Sequence, residues 1–118
     1  MAWFQARKVT RELEARLIPP PTAIISGGKP RGKAERKWYG DGGERLKLRV
    51  SGLDLPDGTP VNLAIASRPV ATLAVQSGRL KFDTESQSGQ SVPDAREGET
   101  ITVEQGGIIL VSGRFNRD

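Results

Sequence analysis

Neither cysteine nor histidine occurs among the 118 residues. The first absence excludes disulfides and thiolate metal sites. The second removes the usual general base near neutral pH and the commonest metal ligand. Ser-His-Asp chemistry, Cys-His chemistry and zinc sites of ordinary type go with it. Aromatic residues are scarce at 5%, so a core has to be built from Val, Ile, Leu and Ala. No run approaches the roughly 20 apolar residues of a membrane-spanning helix. The start, Met1-Ala2-Trp3-Phe4-Gln5-Ala6-Arg7-Lys8, has no continuous apolar stretch and does not read as a secretory signal. That leaves the compartment open: cytoplasmic by default, extracellular if a leader has been removed.

What is present points to strands. Gly 14 and Pro 8 lie above the average share of these residues but below the ~25–30% typical of disorder. With only short apolar runs between them, many tight turns are implied. The length suits one domain with a single modest core. The expected fold is all-β: an antiparallel β-sandwich or small barrel of about 7–8 short strands.

Residues 2–18 carry both periods. Ala6, Val9, Leu13 and Leu17 recur at near-helical spacing, while Val9, Leu13, Ala15 and Leu17 share the parity of a strand. Pro19-Pro20-Pro21 ends either element and acts as a stiff spacer. Residues 1–21 are therefore expected as an N-terminal arm with its spacer, and residues 22–118 as the sandwich.

The clearest element is a basic hairpin from Lys29 to Val50. Ala34 and Trp38 share one parity of the first strand, and Leu46, Leu48 and Val50 alternate with Arg45, Lys47 and Arg49 on the second. Matching the apolar faces favours a three-residue loop at Asp41–Gly43, pairing Trp38 with Leu46 and Lys37 with Lys47. Arg36 then lands on the apolar face and needs a partner or a strand edge. Further strands are predicted at Val61–Ile65, at Ala71–Val75 and at Leu80–Phe82 after a Ser77-Gly78 turn. A long polar loop follows from Glu85 to Gly98. A last hairpin joins Ile101–Val103 to Ile108–Val111, whose apolar second strand is expected in the middle of a sheet.

Several of these features together resemble a loosely defined group of small bacterial β-sandwich domains with no assigned biochemical role. They are Gly32-Lys33-Ala34 with Tyr39, Leu55-Pro56-Asp57-Gly58-Thr59, Val92-Pro93, and the closing Leu110-Val111-Ser112-Gly113-Arg114-Phe115. The resemblance covers about two-thirds of the chain and rests mostly on turn chemistry. It implies the sandwich fold, with Glu12–Leu17 as the first strand, and implies no activity.

Charge is unevenly divided. Residues 1–50 hold 12 Lys/Arg against 5 Asp/Glu, and residues 51–118 hold 6 against 9. On the hairpin, Lys33, Lys37, Arg45, Lys47 and Arg49 share a solvent face with Tyr39 beside them, and Lys29 and Arg31 lead in. Such a face suits phosphate contacts. Alternating charge is equally how a half-buried sheet stays soluble and guards its edges.

Other constellations are weaker. Asp54 and Asp57 are carboxylates near Gly58, but Asp57-Gly58 is turn chemistry first. Asp83/Glu85 and Asp94/Glu97 are loop acids with nothing to gather them in a cleft. Gly27-Gly28 lacks the rest of a phosphate loop. Trp3 and Phe4 imply that the terminus packs somewhere, on its own domain or on a neighbour.

The leading expectation is therefore a non-enzymatic module that self-associates head to tail. Its arm (Trp3, Phe4, Val9, Leu13, Leu17) would add as a strand to the next subunit. The alternative is nucleic-acid or anionic-polymer binding through Lys33, Lys37, Tyr39, Arg45, Lys47 and Arg49. Neither reading calls for a cofactor, a metal or a small-molecule substrate.

Overall fold

A computed structural model describes residues 8–20 and 29–117. Alternating apolar residues build nine strands: β1 (Val9–Leu17), β2 (Arg31–Tyr39), β3 (Glu44–Ser51), β4 (Pro60–Ile65), β5 (Arg68–Ala74), β6 (Leu80–Glu85), β7 (Thr100–Gln105), β8 (Ile108–Arg114) and β9 (Asn116–Arg117). They form two antiparallel sheets, one in the order β6-β3-β2-β1-β9 and one in the order β5-β4-β7-β8. The arrangement is a β-sandwich and not a closed barrel. Among the described residues no helix is long and apolar enough to cross a membrane.

The core lies between the sheets. The larger sheet supplies Leu13, Ala15, Leu17, Ala34, Leu46, Leu48, Val50 and Leu80, and the smaller one Val61, Leu63, Ile65, Ile101, Val103 and Val111. Apolar faces that must coincide fix the parity of each pairing. Because of this, every outward residue of the larger sheet has a defined neighbour on the next strand.

Residues 9–17 are a strand, and they lie between β2 and β9 of the same chain. Leu13 and Leu17 are buried completely, whereas Val9 is 40% exposed. The difference follows from a register irregularity between Val9 and Arg11, which takes Val9 out of the inward series.

The hairpin of β2 and β3 forms with its register displaced by two residues from the expected one. Trp38 pairs with Glu44, Arg36 with Leu46 and Lys37 with Arg45. The three-residue loop is Gly40–Gly42 rather than Asp41–Gly43, closed by Tyr39 N–H donating to Gly43 O at 2.9 Å. Local chemistry explains the choice. Asp41 Oδ1 accepts from Gly43 N–H at 2.8 Å, and Gly42 takes φ +86°, a left-handed value that glycine adopts without penalty. A shift of two preserves parity, so the faces stay as expected while every partner changes.

That shift resolves Arg36, which is 1% exposed. Its Nη2 donates to Glu44 Oε1 at 2.5 Å, its Nε to Pro93 O at 3.0 Å and its Nη1 to Lys37 O at 3.3 Å. Its guanidinium lies 4.5 Å from the Trp38 ring centre, and Arg11 lies 5.0 Å from the same ring. A buried charge is tolerable only when paired and hydrogen-bonded, and here both conditions hold.

The last hairpin differs from expectation in one respect. Its apolar strand β8 is an edge strand, with Ile108 68% and Ile109 39% exposed. A bulge between Val103 and Glu104 turns this tip out of the inward series. Further along, Ile18 and Ser112 exchange backbone hydrogen bonds at 3.0 and 2.9 Å, so part of the β8 edge is covered by the end of β1.

Candidate anion-binding face

The outer face of the five-stranded sheet carries the hairpin charges, and the pairings sort them into rows that cross the strands. Glu12, Lys37, Arg45 and Glu85 are successive partners across β1, β2, β3 and β6. Two residues along, the partners are Glu14, Glu35, Lys47 and Asp83. Two further, they are Arg16, Lys33, Arg49 and Lys81. The first row is neutral, the second carries a net −2, and the third is four cations directly opposite one another.

In the first two rows each cation stands opposite at least one carboxylate. Arg45 forms a two-pronged pair with Asp83, Nε to Oδ1 at 2.9 Å and Nη2 to Oδ2 at 2.6 Å. That contact holds the Asp83 carboxyl below its ordinary range against the opposing effect of burial, with Arg45, Lys47 and Lys81 adding their charge. Asp83 in turn pushes Arg45 up, and a hydrogen bond with Tyr39 adds to it. Lys37 Nζ sits 3.5 Å from Glu35 and 3.9 Å from Glu12. Burial acts to raise the Glu35 carboxyl, but a hydrogen bond with Glu12 and the charges of Lys37 and Lys33 bring it below the usual value.

The third row is different. All four of its residues are exposed. Lys33 Nζ reaches Glu14 at 3.4 Å and Glu35 at 4.0 Å. Among the described residues, Arg16, Arg49 and Lys81 form no ion pair within 4.0 Å. Like charges directly opposite across strands are destabilising. With strands about 4.8 Å apart, the row is roughly 14 Å long.

More cations flank the row. Over β2, β3 and β6, on the side away from the carboxylates, an open groove of about 690 Å³ is lined by Arg31, Lys33, Arg49, Arg79 and Lys81 around Gly32, Val50, Ser51 and Leu80. Beside β9, a depression of about 300 Å³ is lined by Glu14, Arg16, Arg114, Asn116 and Arg117. The stripe as a whole holds eight cations and a single lining carboxylate, Glu14.

The structure therefore divides the predicted polyanion set. Lys33 and Arg49 stand in the cationic row, whereas Lys37, Arg45 and Lys47 belong to the two mixed rows and Tyr39 lies one row beyond them, opposite Val9. Arg16, Lys81 and Arg79 were missed by sequence reasoning. Arg16 and Lys81 do carry a signal, because they occupy the outward parity of apolar strands. Their meeting with Lys33 and Arg49 depends on β3 pairing with β6 past two intervening strands, which no local pattern announces. Of the predicted self-association set, Leu13 and Leu17 are in the core and Val9 is part-exposed, while Trp3 and Phe4 lie outside the described residues. Among the described residues, no three carboxylates gather closely enough to hold a metal ion.

Compared with known proteins, the chain matches no family model, and no curated protein sequence is significantly similar to it.

Proposed function

We propose that this domain is a non-enzymatic binding module for an anionic polymer, engaged through the row Arg16, Lys33, Arg49 and Lys81 and the cations that flank it. The observation that carries this reading is the in-register row itself. Four exposed cations on four neighbouring strands repel one another, and on the rest of the same face carboxylates have been set among the cations. A bound polyanion relieves the repulsion and releases its own counterions.

Charge reversal tests this directly, with a labelled oligonucleotide as a generic polyanion. Arg49→Glu with Lys81→Glu should weaken binding by tenfold or more at low salt. Lys37→Gln with Lys47→Gln, in the mixed rows, should change it by less than about threefold. Equal losses from the two double variants would refute the assignment to this row.

Self-association is supported less. An added arm strand needs Leu13 and Leu17 free, and both are buried in the chain's own core. Sizing the protein with and without residues 1–7 tests what remains of it. Loss of an oligomer on removing those seven residues would restore the reading.

A further inference from the structure

Resting on that reading, we infer that the polymer is a single strand of nucleic acid held by its phosphodiester backbone, laid along the row and across the β-strands, with its bases turned outward. Three observations define this partner.

The first is the width of the stripe. Rows lie two residues apart, about 6.6 Å along a strand. The row beside the cations contains Glu14, Glu35 and Asp83, and the one beyond it Glu12 and Glu85. A thin chain in single file touches the four cations and keeps one row, about 6.6 Å, from the nearest carboxylates. A planar anionic surface resting on all three rows meets seven cations and five carboxylates, a net of only +2. In a duplex, every backbone has a second one across a groove about 6 or 12 Å wide. With one backbone laid along the row, the neighbour on one side falls toward Glu14, Glu35 and Asp83. Glu14, Glu35 and Asp83 thus act as a fence that selects single-file chains.

The second is that no aromatic among the described residues lines the stripe. Tyr39 is six residues along β2 from Lys33, roughly 20 Å away, and it is engaged with Arg45. Bases have no ring to stack on there, so affinity comes from phosphates and does not depend on base identity. The third is the kind of cation. Six of the eight are arginine, whose flat guanidinium fork matches the paired oxygens of a phosphate ester.

The test compares probes of equal phosphate number on the full chain by fluorescence anisotropy. They are a thymidine single strand, a single strand of abasic sites with the same backbone, and a duplex. Vesicles with one-third phosphatidylserine and a sulfated polysaccharide competitor complete the set. The expected result is that the abasic strand binds within threefold of the thymidine strand, and that duplex and vesicles bind at least fivefold more weakly per phosphate. The double variant Glu14→Gln, Glu35→Gln, checked for folding by circular dichroism, should then close the gap between duplex and single strand. Duplex or vesicle binding as tight as the single strand would overturn the fence. A tenfold loss on removing the bases would overturn backbone-only contact. Stronger binding of the sulfated polymer at equal charge would overturn the phosphodiester assignment while leaving polyanion binding intact. Failure of every probe to bind would instead remove the underlying function.

Discussion

Arg36 shows how one side chain that breaks the pattern can organise its surroundings. It sits on the inward parity of β2, yet its three hydrogen bonds tie together Glu44 after the hairpin loop and Pro93 in the segment between β6 and β7. Replacing a buried ion pair by an apolar side chain of similar volume is often close to neutral, whereas truncating it is costly. Arg36→Ala should therefore lower unfolding free energy by about 2–4 kcal/mol. Arg36→Met should cost less than about 1.5 kcal/mol but speed amide exchange in residues 89–95, since the tether to Pro93 is gone. Urea unfolding and hydrogen exchange separate the two effects. At Asp83 the expected signature is a pH dependence. Its folded carboxyl is depressed chiefly by the hydrogen bonds from Arg45, from an ordinary value of 3.8. The stabilisation is then complete above about pH 4 and is lost as pH falls through the lower folded value. Asp83→Asn should flatten the stability profile below pH 4, with a difference at pH 7 of only about 0.5–1 kcal/mol for so exposed a pair. Thermal unfolding between pH 2.5 and 7 checks it.

At the scale of strands, closeness of backbones is what keeps the row in place. A Cβ at Gly113 on β8 would come 2.0 Å from the carbonyl oxygen of Arg16 on β1. Gly113→Ala should thus cost about 2 kcal/mol or more in denaturant unfolding, and weaken the backbone bridge between Ile18 and Ser112. The alternation of Leu46, Leu48 and Val50 with cations made β3 legible from sequence, as did Val61, Leu63 and Ile65 for β4. The hairpin loop was legible in length but not in position. Gly40-Asp41-Gly42-Gly43 accommodates two three-residue loops of the same parity, and the side chain of Asp41 decides between them. β8 misled because Ile108, Ile109 and Leu110 read as a strand buried on both faces, while a bulge turns their end to solvent. The candidate site was half legible. Outward parity identifies each cation, but only the order β6-β3-β2-β1 places Arg16, Lys33, Arg49 and Lys81 in one line.

For the molecule as a whole, β1 couples the beginning of the chain to its end. It lies between β2 and β9, and its terminus bridges to β8. Deleting residues 1–18 should therefore abolish cooperative unfolding, because a central strand and three fully buried side chains, Leu13, Ala15 and Leu17, are lost. Circular dichroism melts of the truncated and full-length chains check it. The larger asymmetry is electrostatic. One sheet face carries neutral, acidic and cationic rows side by side, and the domain's proposed role rests on the cationic one. The most direct measurement is the affinity for a single-stranded oligonucleotide as a function of salt. Contact with four to six phosphates gives a slope of about −3 to −4 in log affinity against log salt concentration, from roughly −0.7 per phosphate for single strands. A slope near zero, or one unchanged by Arg49→Glu with Lys81→Glu, would contradict it.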